Sequence, residues 1–301
     1  MRLPLTVVIP TYRRERVLLD TINSLLPLLG SGDELIVLDQ TLTHEAATES
    51  ALAGWQGAGR IRWQRLPEPS IPQAMNQGLL EARNEIVVFL DDDVKPEANL
   101  LEGHRHAIER RPEHLIAGRV IQPWQEGQDF SRDQHFHFAC TAGQEVTEFM
   151  GGNFSVRRSD ALALGGFDEN FVRVAYRFEA EFAHRFRMSG RSIWFESSAC
   201  LHHLKAESGG TRTYGDFLRT MRPDHAVGAY YFVLRTAHGV ARIRALATRI
   251  ATAVATRHHL KRPWWIPLTL IGETRALAWA LIMDARGPRY VAQSQATSND
   301  E

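Results

Sequence analysis

Over the first 90 residues, short apolar runs alternate with polar turns and with stretches whose apolar positions repeat at helical spacing. Runs at 5–10, 35–38, 61–66 and 86–90 read as buried strands bounded by turn-forming residues. Between them Leu18, Leu19, Ile22, Leu25, Leu26 and Leu29 recur at helical spacing, as do Met75, Leu79 and Leu80. Each connection can therefore lay one apolar face on a sheet, which predicts an α/β fold with a doubly wound, mostly parallel sheet. In such sheets ligands gather beyond the carboxyl ends of the strands. Those ends carry Thr11-Tyr12-Arg13, Asp39-Gln40, Pro67-Glu68 and Asp91-Asp92-Asp93.

Periodicity fades across 122–148, a stretch rich in His, Gln and Phe that reads as a variable loop over the site. It returns in 149–157, in a short helix capped by Ser159 or Asp160, and in a Gly165-Gly166 turn. A helix over 178–188, ended by Gly190, and a strand over 192–195 follow. Residues 226–260 contain no acid and predict a basic amphipathic helix with Arg235, Arg242, Arg249 and Arg257 near one face. Residues 264–283 are apolar apart from Glu273 and Arg275 near the middle, which disfavour membrane spanning. This organisation divides the chain into a catalytic domain over 1–204, in halves of 1–95 and 96–204, a lid and helical extension over 205–292, and a flexible tail over 293–301.

Composition narrows the classes further. At 44% hydrophobic and 23% charged the chain has the makings of a core, not of a disordered polymer. Its two cysteines, Cys140 and Cys200, form no CxxC pair, which removes a disulfide framework and a cysteine-rich zinc site and suits a reducing cytoplasm. The N-terminal apolar run is short for a secretion signal and breaks at Pro10, so no export is expected. Net charge is zero, yet residues 1–204 hold 21 Lys/Arg against 28 Asp/Glu while 205–299 hold 14 against 5. The basic part, with Trp264-Trp265, suits an anionic membrane surface on the inner face of the plasma membrane. Packing on the catalytic domain, or a homo-oligomer formed through the same helices, is the competing expectation. No nucleic-acid partner is expected.

Asp91, Asp92 and Asp93 emerge together from a buried strand, where mutual repulsion is costly unless a cation compensates. Oxygen ligation suits Mg²⁺ or Mn²⁺ and leaves positions for water and phosphate oxygens. Arg13 and Arg14 are candidate bidentate donors to a diphosphate, with solvated arginines as the alternative. Ser208-Gly209-Gly210-Thr211 reads as a lid or a linker, with Arg212 placed to close over phosphates.

Four motifs, Val7-Val8-Ile9-Pro10-Thr11-Tyr12-Arg13-Arg14, Ile36-Val37-Leu38-Asp39, Phe89-Leu90-Asp91-Asp92-Asp93 and Gly151-Gly152-Asn153-Phe154-Ser155-Val156-Arg157, occur in the order found in glycosyltransferase family 2. Residues 4–204 resemble that family. The resemblance implies a GT-A fold and inverting, metal-dependent transfer from a nucleotide-diphosphate sugar. It implies nucleotide contacts at Pro10, Thr11, Tyr12, Arg13, Asp39 and Asn76, and a DxD motif in which Asp93 ligates the metal directly while Asp91 or Asp92 faces ribose or coordinated water. His202 is implied as a further ligand, with His203 its adjacent rival. Gly151, Gly152 and Asn153 are implied to lie beneath the donor sugar and beside the acceptor. Glu179 falls at the general base's position, with Glu181 as the alternative. The chain departs from the family in two places. Gln40-Thr41-Leu42 stands where Asp-Gly-Ser is common, and no Glu-Asp pair opens the 178–188 helix.

The function expected is transfer from a UDP- or dTDP-sugar to a glycan or lipid-linked hydroxyl in cell-surface polysaccharide synthesis. A catalytically silent sugar-nucleotide binder is the alternative. A nucleotidyltransferase is disfavoured because no Gly-rich, Arg/Lys-ending loop follows the first strand, and a hydrolase because the carboxylates sit together and not across a cleft.

Overall fold

The computed structural model describes residues 2–131, 135–211 and 218–291, so Arg212 and the tail lie outside the described residues. The chain forms two compact units. The first comprises Met1–Pro69, Gln73–Gly166 and Ala183–Gly210, the second Ser70–Pro72, Phe167–Phe182 and Thr211–Glu301. Residues 167–182 thus group with the C-terminal helices, where a single boundary near 204 was expected.

The elements run β1 (Leu5–Thr11), α1 (Arg16–Leu25), β2 (Glu34–Asp39), α2 (Ala46–Gly57), β3 (Arg62–Arg65), α3 (Ile71–Glu81), β4 (Ile86–Leu90) and β5 (Val94–Pro96). They continue with α4 (Leu100–Arg110), β6 (His114–Ile121), β7 (Gln144–Val146), β8 (Asn153–Arg157), α5 (Arg158–Ala163), α6 (Phe178–Met188) and β9 (Ser192–His203). Four helices close the chain: α7 (Val227–Thr236), α8 (Gly239–Val254), α9 (Arg257–Lys261) and α10 (Ile266–Arg286).

One nine-stranded sheet in the order β3-β2-β1-β4-β8-β6-β9-β5, with β7 beside β9, forms the first unit. The stretch from β3 to β4 is parallel, as the alternation of strand and helix predicts. β8 then enters antiparallel between β4 and β6. Val7, Val8 and Ile9 are all buried, the mark of a strand covered on both faces. Gly78 sets how closely α3 covers β1, since a Cβ there would lie 2.6 Å from Val8 Cγ1. The 122–148 stretch is less irregular than expected, because β7 pairs with β9. α5 also begins earlier than expected: Arg157 holds the N-cap position without a side-chain cap, and Ser159 instead bonds Glu85.

In the second unit, the polar side chains of 167–171 are held by the terminal helices. Tyr231 Oη donates to Asp168 (2.7 Å), and Asn170 Nδ2 donates to Tyr231 Oη (2.9 Å) and to the Gly287 carbonyl (2.8 Å). Phe171 packs edge-on against the Tyr231 ring. The expected single helix over 226–260 is three helices, broken by Gly239 in the left-handed region (φ 53°) and again at Ala255-Thr256.

Replacing Gly78 by alanine forces β1 and α3 apart, and we expect a loss of about 1–3 kcal/mol in denaturant unfolding, the range for overpacked cores. An unchanged midpoint would show that α3 is not closely seated.

Candidate active site

β4 delivers the three aspartates to three environments. Asp91 is exposed, and its carboxylate fills the place where a Cβ on Gly152 would sit, 2.1 Å from Oδ2. The glycine is therefore required for the β8 entry to approach Asp91. Asp92 turns into the protein, accepting from Thr11 Oγ1 (2.7 Å) and from Arg14 Nε (3.2 Å). Asp93 Oδ2 accepts from Arg14 Nη2 (3.1 Å) and from the Ala206 amide (2.9 Å), which leaves Oδ1 beside His203 Nε2 at 3.2 Å.

Burial pushes the Asp92 carboxyl up to about 7, although the Arg14 charge and the Thr11 hydroxyl act against it. Burial also opposes ionisation of Asp93, but the hydrogen bond and charge of His203, with Arg14 and the Ala206 amide, hold it below its ordinary value. Asp93 is thus the ionised buried carboxylate of the cluster.

Asp91, Asp93 and His203 bring their donor atoms within 4.8 Å of one another. Two carboxylate oxygens and an imidazole nitrogen form a donor set that fits Mn²⁺ or Mg²⁺ with positions left for phosphate and water. The histidine is a correction. His202, favoured from sequence, lies between Glu126 (2.6 Å) and Glu97 (3.3 Å), whereas its neighbour His203 faces the aspartates and approaches Gln122 Oε1 with Nδ1 (3.1 Å). Neighbouring residues in β9 point to opposite faces, so only one of the pair can serve.

Other expected contacts are taken up by the protein itself. Thr11 spends its hydroxyl on Asp92 and is buried. The Asp39 side chain has no exposure: Oδ1 accepts from the Thr41 amide (2.9 Å), while Oδ2 meets His44 Nε2 (2.6 Å) and accepts from Trp63 Nε1 (2.9 Å). It offers no surface to a nucleobase here. Asn153, expected against the donor sugar, is fully buried. Its Nδ2 donates to the carbonyls of Arg119 and Ala199 (2.9 Å each) and its Oδ1 faces His104 Nε2 (2.8 Å). Gly118 makes room for it, since a Cβ there would lie 2.3 Å from Asn153 Nδ2. Burial drives the His104 ring down to about 4, so it stays neutral. Asn76 is buried on α3.

Pro10, Tyr12 and Gly151 remain half-buried, and Arg13 is exposed in the left-handed region (φ 53°) with its guanidinium 5.1 Å from the Tyr12 ring centre. Arg14, a candidate phosphate donor by sequence, is instead buried. Besides Asp92 and Asp93 it bonds the carbonyls of Ala206 (3.1 Å) and Ser208. Gly209 (φ 80°) then lies so close to the Arg13 carbonyl that a Cβ would sit 2.1 Å away, and the Gly210 amide donates to the Tyr12 carbonyl (2.7 Å). Through Gly210 the expected lid is strapped to the end of β1.

Glu179 and Glu181 lie on α6 in the second unit; Glu181 is buried and Glu179 half-buried. Arg173, Ala175 and Arg177, just ahead of them, all have positive φ (63°, 52° and 76°). Each such conformation costs a non-glycine residue about 1–2 kcal/mol, so packing must enforce it. Gly228 on α7 supplies part of that packing: a Cβ there would lie 2.2 Å from the Tyr176 carbonyl.

Residues 6–180 match the profile described as glycosyl transferase family 2. The chain belongs to glycosyltransferase family 2. Solved structures similar to this glycosyltransferase include S. aureus TarS 1-349 in complex with UDP-GlcNAc, at TM-score 0.61 and 15% identity, covering 91% of this chain and 81% of that one. GalNAc-T7 with UDP, GalNAc and Mn²⁺ is similar at TM-score 0.56 and 12% identity, over 83% of this chain. The similarity spans 54% of the GalNAc-T7 chain, about half its length. These likenesses establish the GT-A fold, and no curated protein matches the chain in sequence.

The His44 ring separates two carboxylates, with Nδ1 3.1 Å from Glu15 and Nε2 2.6 Å from Asp39. Burial by itself would lower its pKa, but hydrogen bonds and charge from Asp39 and then Glu15 outweigh it and leave the value raised above 6.5. A raised pKa means that the stabilisation is complete below the unfolded-state value and is lost as pH rises through the folded-state value. We expect the melting-temperature advantage of wild type over His44→Gln to be largest near about pH 6 and to shrink towards alkaline pH. A pH-independent difference would place a neutral ring between the carboxylates.

Proposed function

We propose that this family 2 enzyme transfers a sugar, with inversion, from a UDP- or dTDP-sugar to a hydroxyl of a glycan or lipid-linked acceptor in cell-surface polysaccharide synthesis. The observation that carries the reading is the Asp91, Asp93 and His203 donor set beside Gly152, at the carboxyl end of β4 in a GT-A sheet. UDP complexes of two structurally similar proteins, one of them with Mn²⁺, support a uridine donor and a divalent ion. A metal bound there supplies positive charge to the leaving diphosphate, where negative charge grows as the glycosidic bond breaks.

The chain's own groups carry the remaining roles. Asp93, held ionised against its burial by His203 and Arg14, is the central ligand, with His203 and the more exposed Asp91 completing the set. Tyr12 and Arg13 are the groups at the end of β1 left for the nucleotide. Glu179 is assigned as general base from its place in the family pattern, and its exposure favours it over the buried Glu181. It takes the acceptor hydroxyl's proton as that oxygen attacks the anomeric carbon from the face opposite the departing nucleoside diphosphate.

The second reading, a sugar-nucleotide binder without transfer activity, draws support from the sealed Asp39 carboxylate and the absent Glu-Asp pair. Two measurements separate the readings. With UDP-sugar and Mn²⁺ at saturating concentration, wild type should melt at a higher temperature than with either ligand alone, and Asp93→Ala should lose that joint gain. A full gain in Asp93→Ala would remove Asp93 as the ligand. Glu179→Gln should keep donor binding while transfer falls about 10²- to 10⁴-fold, the range of general-base contributions. Undiminished transfer would exclude Glu179 as base, and donor binding by a wild type that transfers nothing would favour the binder.

A further inference from the structure

Two helices of the second unit, α8 and α10, are built inside out. The buried face of α10 is Thr269, Gly272, Glu273, Ala276, Ala280 and Met283, which are mostly small or polar. Its outward face instead presents Leu270, Ile271, Leu281 and Ile282, the last 51% exposed, at the spacing of one helical stripe. α8 repeats the inversion. Val240 and Ile243 are 65% and 68% exposed, and Ala253 is its one buried residue.

The charges point inward. Arg249 pairs with the buried Glu273 (3.1 Å), which also accepts from Tyr230 Oη (2.6 Å), and Arg235 approaches Asp284 (3.7 Å). Arg242 spends its guanidinium on the carbonyls of Leu234 and Ala237. Three of the four arginines in the stripe expected to face a membrane are thus half-buried and held by the protein. Glu273, an argument against lipid contact in the sequence, is neutralised away from the surface.

The outward cations are Arg257, the last of that stripe, with Arg244, Lys261, Arg262, Arg275 and Arg286, all exposed. Among the described residues from 225 onward the only acids are the buried Glu273 and the paired, half-buried Asp284. Trp264, 64% exposed, stands with Lys261 and Arg262 at the start of α10. Small residues between helices, large aliphatics outside, and Trp with cations at the margin are the arrangement of protein packed against lipid. α10 is also long and apolar enough to cross a bilayer. With Arg275 midway along its outward stripe, however, it suits lying in the headgroup–acyl boundary.

We propose that the outer faces of α8 and α10, with the cations of α9, dock this enzyme on an anionic lipid bilayer. The surface does not depend on which sugar the enzyme transfers, so its test is separate from any activity. The full chain is mixed with vesicles of phosphatidylcholine alone, or of equal parts phosphatidylcholine and phosphatidylglycerol, and floated on a density gradient.

Wild type is expected to float with the anionic vesicles, less so in high salt, and to stay behind with the neutral ones. Ile243→Glu combined with Ile271→Glu should abolish flotation. Arg257→Gln, Lys261→Gln and Arg262→Gln together should weaken it about a hundredfold, at roughly fivefold per cation. Met188→Glu, at an exposed apolar position in the first unit, should float as wild type does. Failure of wild type to float with either vesicle would overturn the proposal, as would undiminished flotation of both multiple variants. A wild-type dimer that the double substitution converts to a monomer, with no vesicle binding by either, would make this face a subunit contact.

Discussion

Arg14 is the cation around which the carboxyl end of the sheet at β1 and β4 is assembled. Three carboxylates leave β4 in succession, and two of them are buried, where an uncompensated charge costs several kcal/mol or more. The guanidinium meets both, Nε to Asp92 and Nη2 to Asp93, and turns its remaining donors to the 206–208 carbonyls. One side chain therefore fixes the end of β1, the end of β4 and the segment after β9. Its planar fork makes this possible; a lysine ammonium offers no such bidentate geometry. The result is a division of labour, in which Asp92 is structural, Asp93 is ionised and aimed at His203, and Asp91 stays accessible.

The same accounting explains why several polar residues with the right chemistry are unavailable for a ligand. A buried donor or acceptor must find a partner, and the nearest partners are often in the protein. Thr11 goes to Asp92, Asp39 to Thr41, His44 and Trp63, and Asn153 to two carbonyls and His104. Groups at the strand ends that stay outward, Tyr12, Arg13, Asp91 and the His203 edge, are those that backbone geometry turns away from the core. Gln40-Thr41-Leu42, which departs from the family pattern, coincides with this closure: Thr41 lends its amide to Asp39 and its hydroxyl to the Arg13 amide.

The second unit has two tasks in one set of helices. α7 presses Gly228 against the Tyr176 backbone and anchors Asp168 and Asn170 through Tyr231, so the left-handed residues ahead of α6 are enforced by packing. α8 and α10 pair Arg249 with the buried Glu273 and turn aliphatic side chains outward. An ordinary surface helix does the reverse, which is why charge counting along 226–260 located the basic region but not the inward turn of Arg235, Arg242 and Arg249.

The sequence by itself determined the strands of the first half, the helices between them, the family, and the place along the chain where a metal and a nucleotide diphosphate are expected. These follow from hydrophobic period and from motifs in order, and both are local properties. Which histidine faces the aspartates is not local. Between Gly118 and Arg119 the register of β6 against β9 slips by three residues of β9, from Glu196 to Cys200, and an odd slip exchanges the faces of everything beyond it. His203 is thereby brought to Asp93 and His202 sent to Glu97 and Glu126. The ownership of Asp92 by Arg14, of Asp39 by Trp63 and of Glu273 by Arg249 likewise joins residues 78, 24 and 24 positions apart. Periodicity could place each of these charges on an element, but only the folded packing decided whether the partner was a ligand, the solvent or the protein itself.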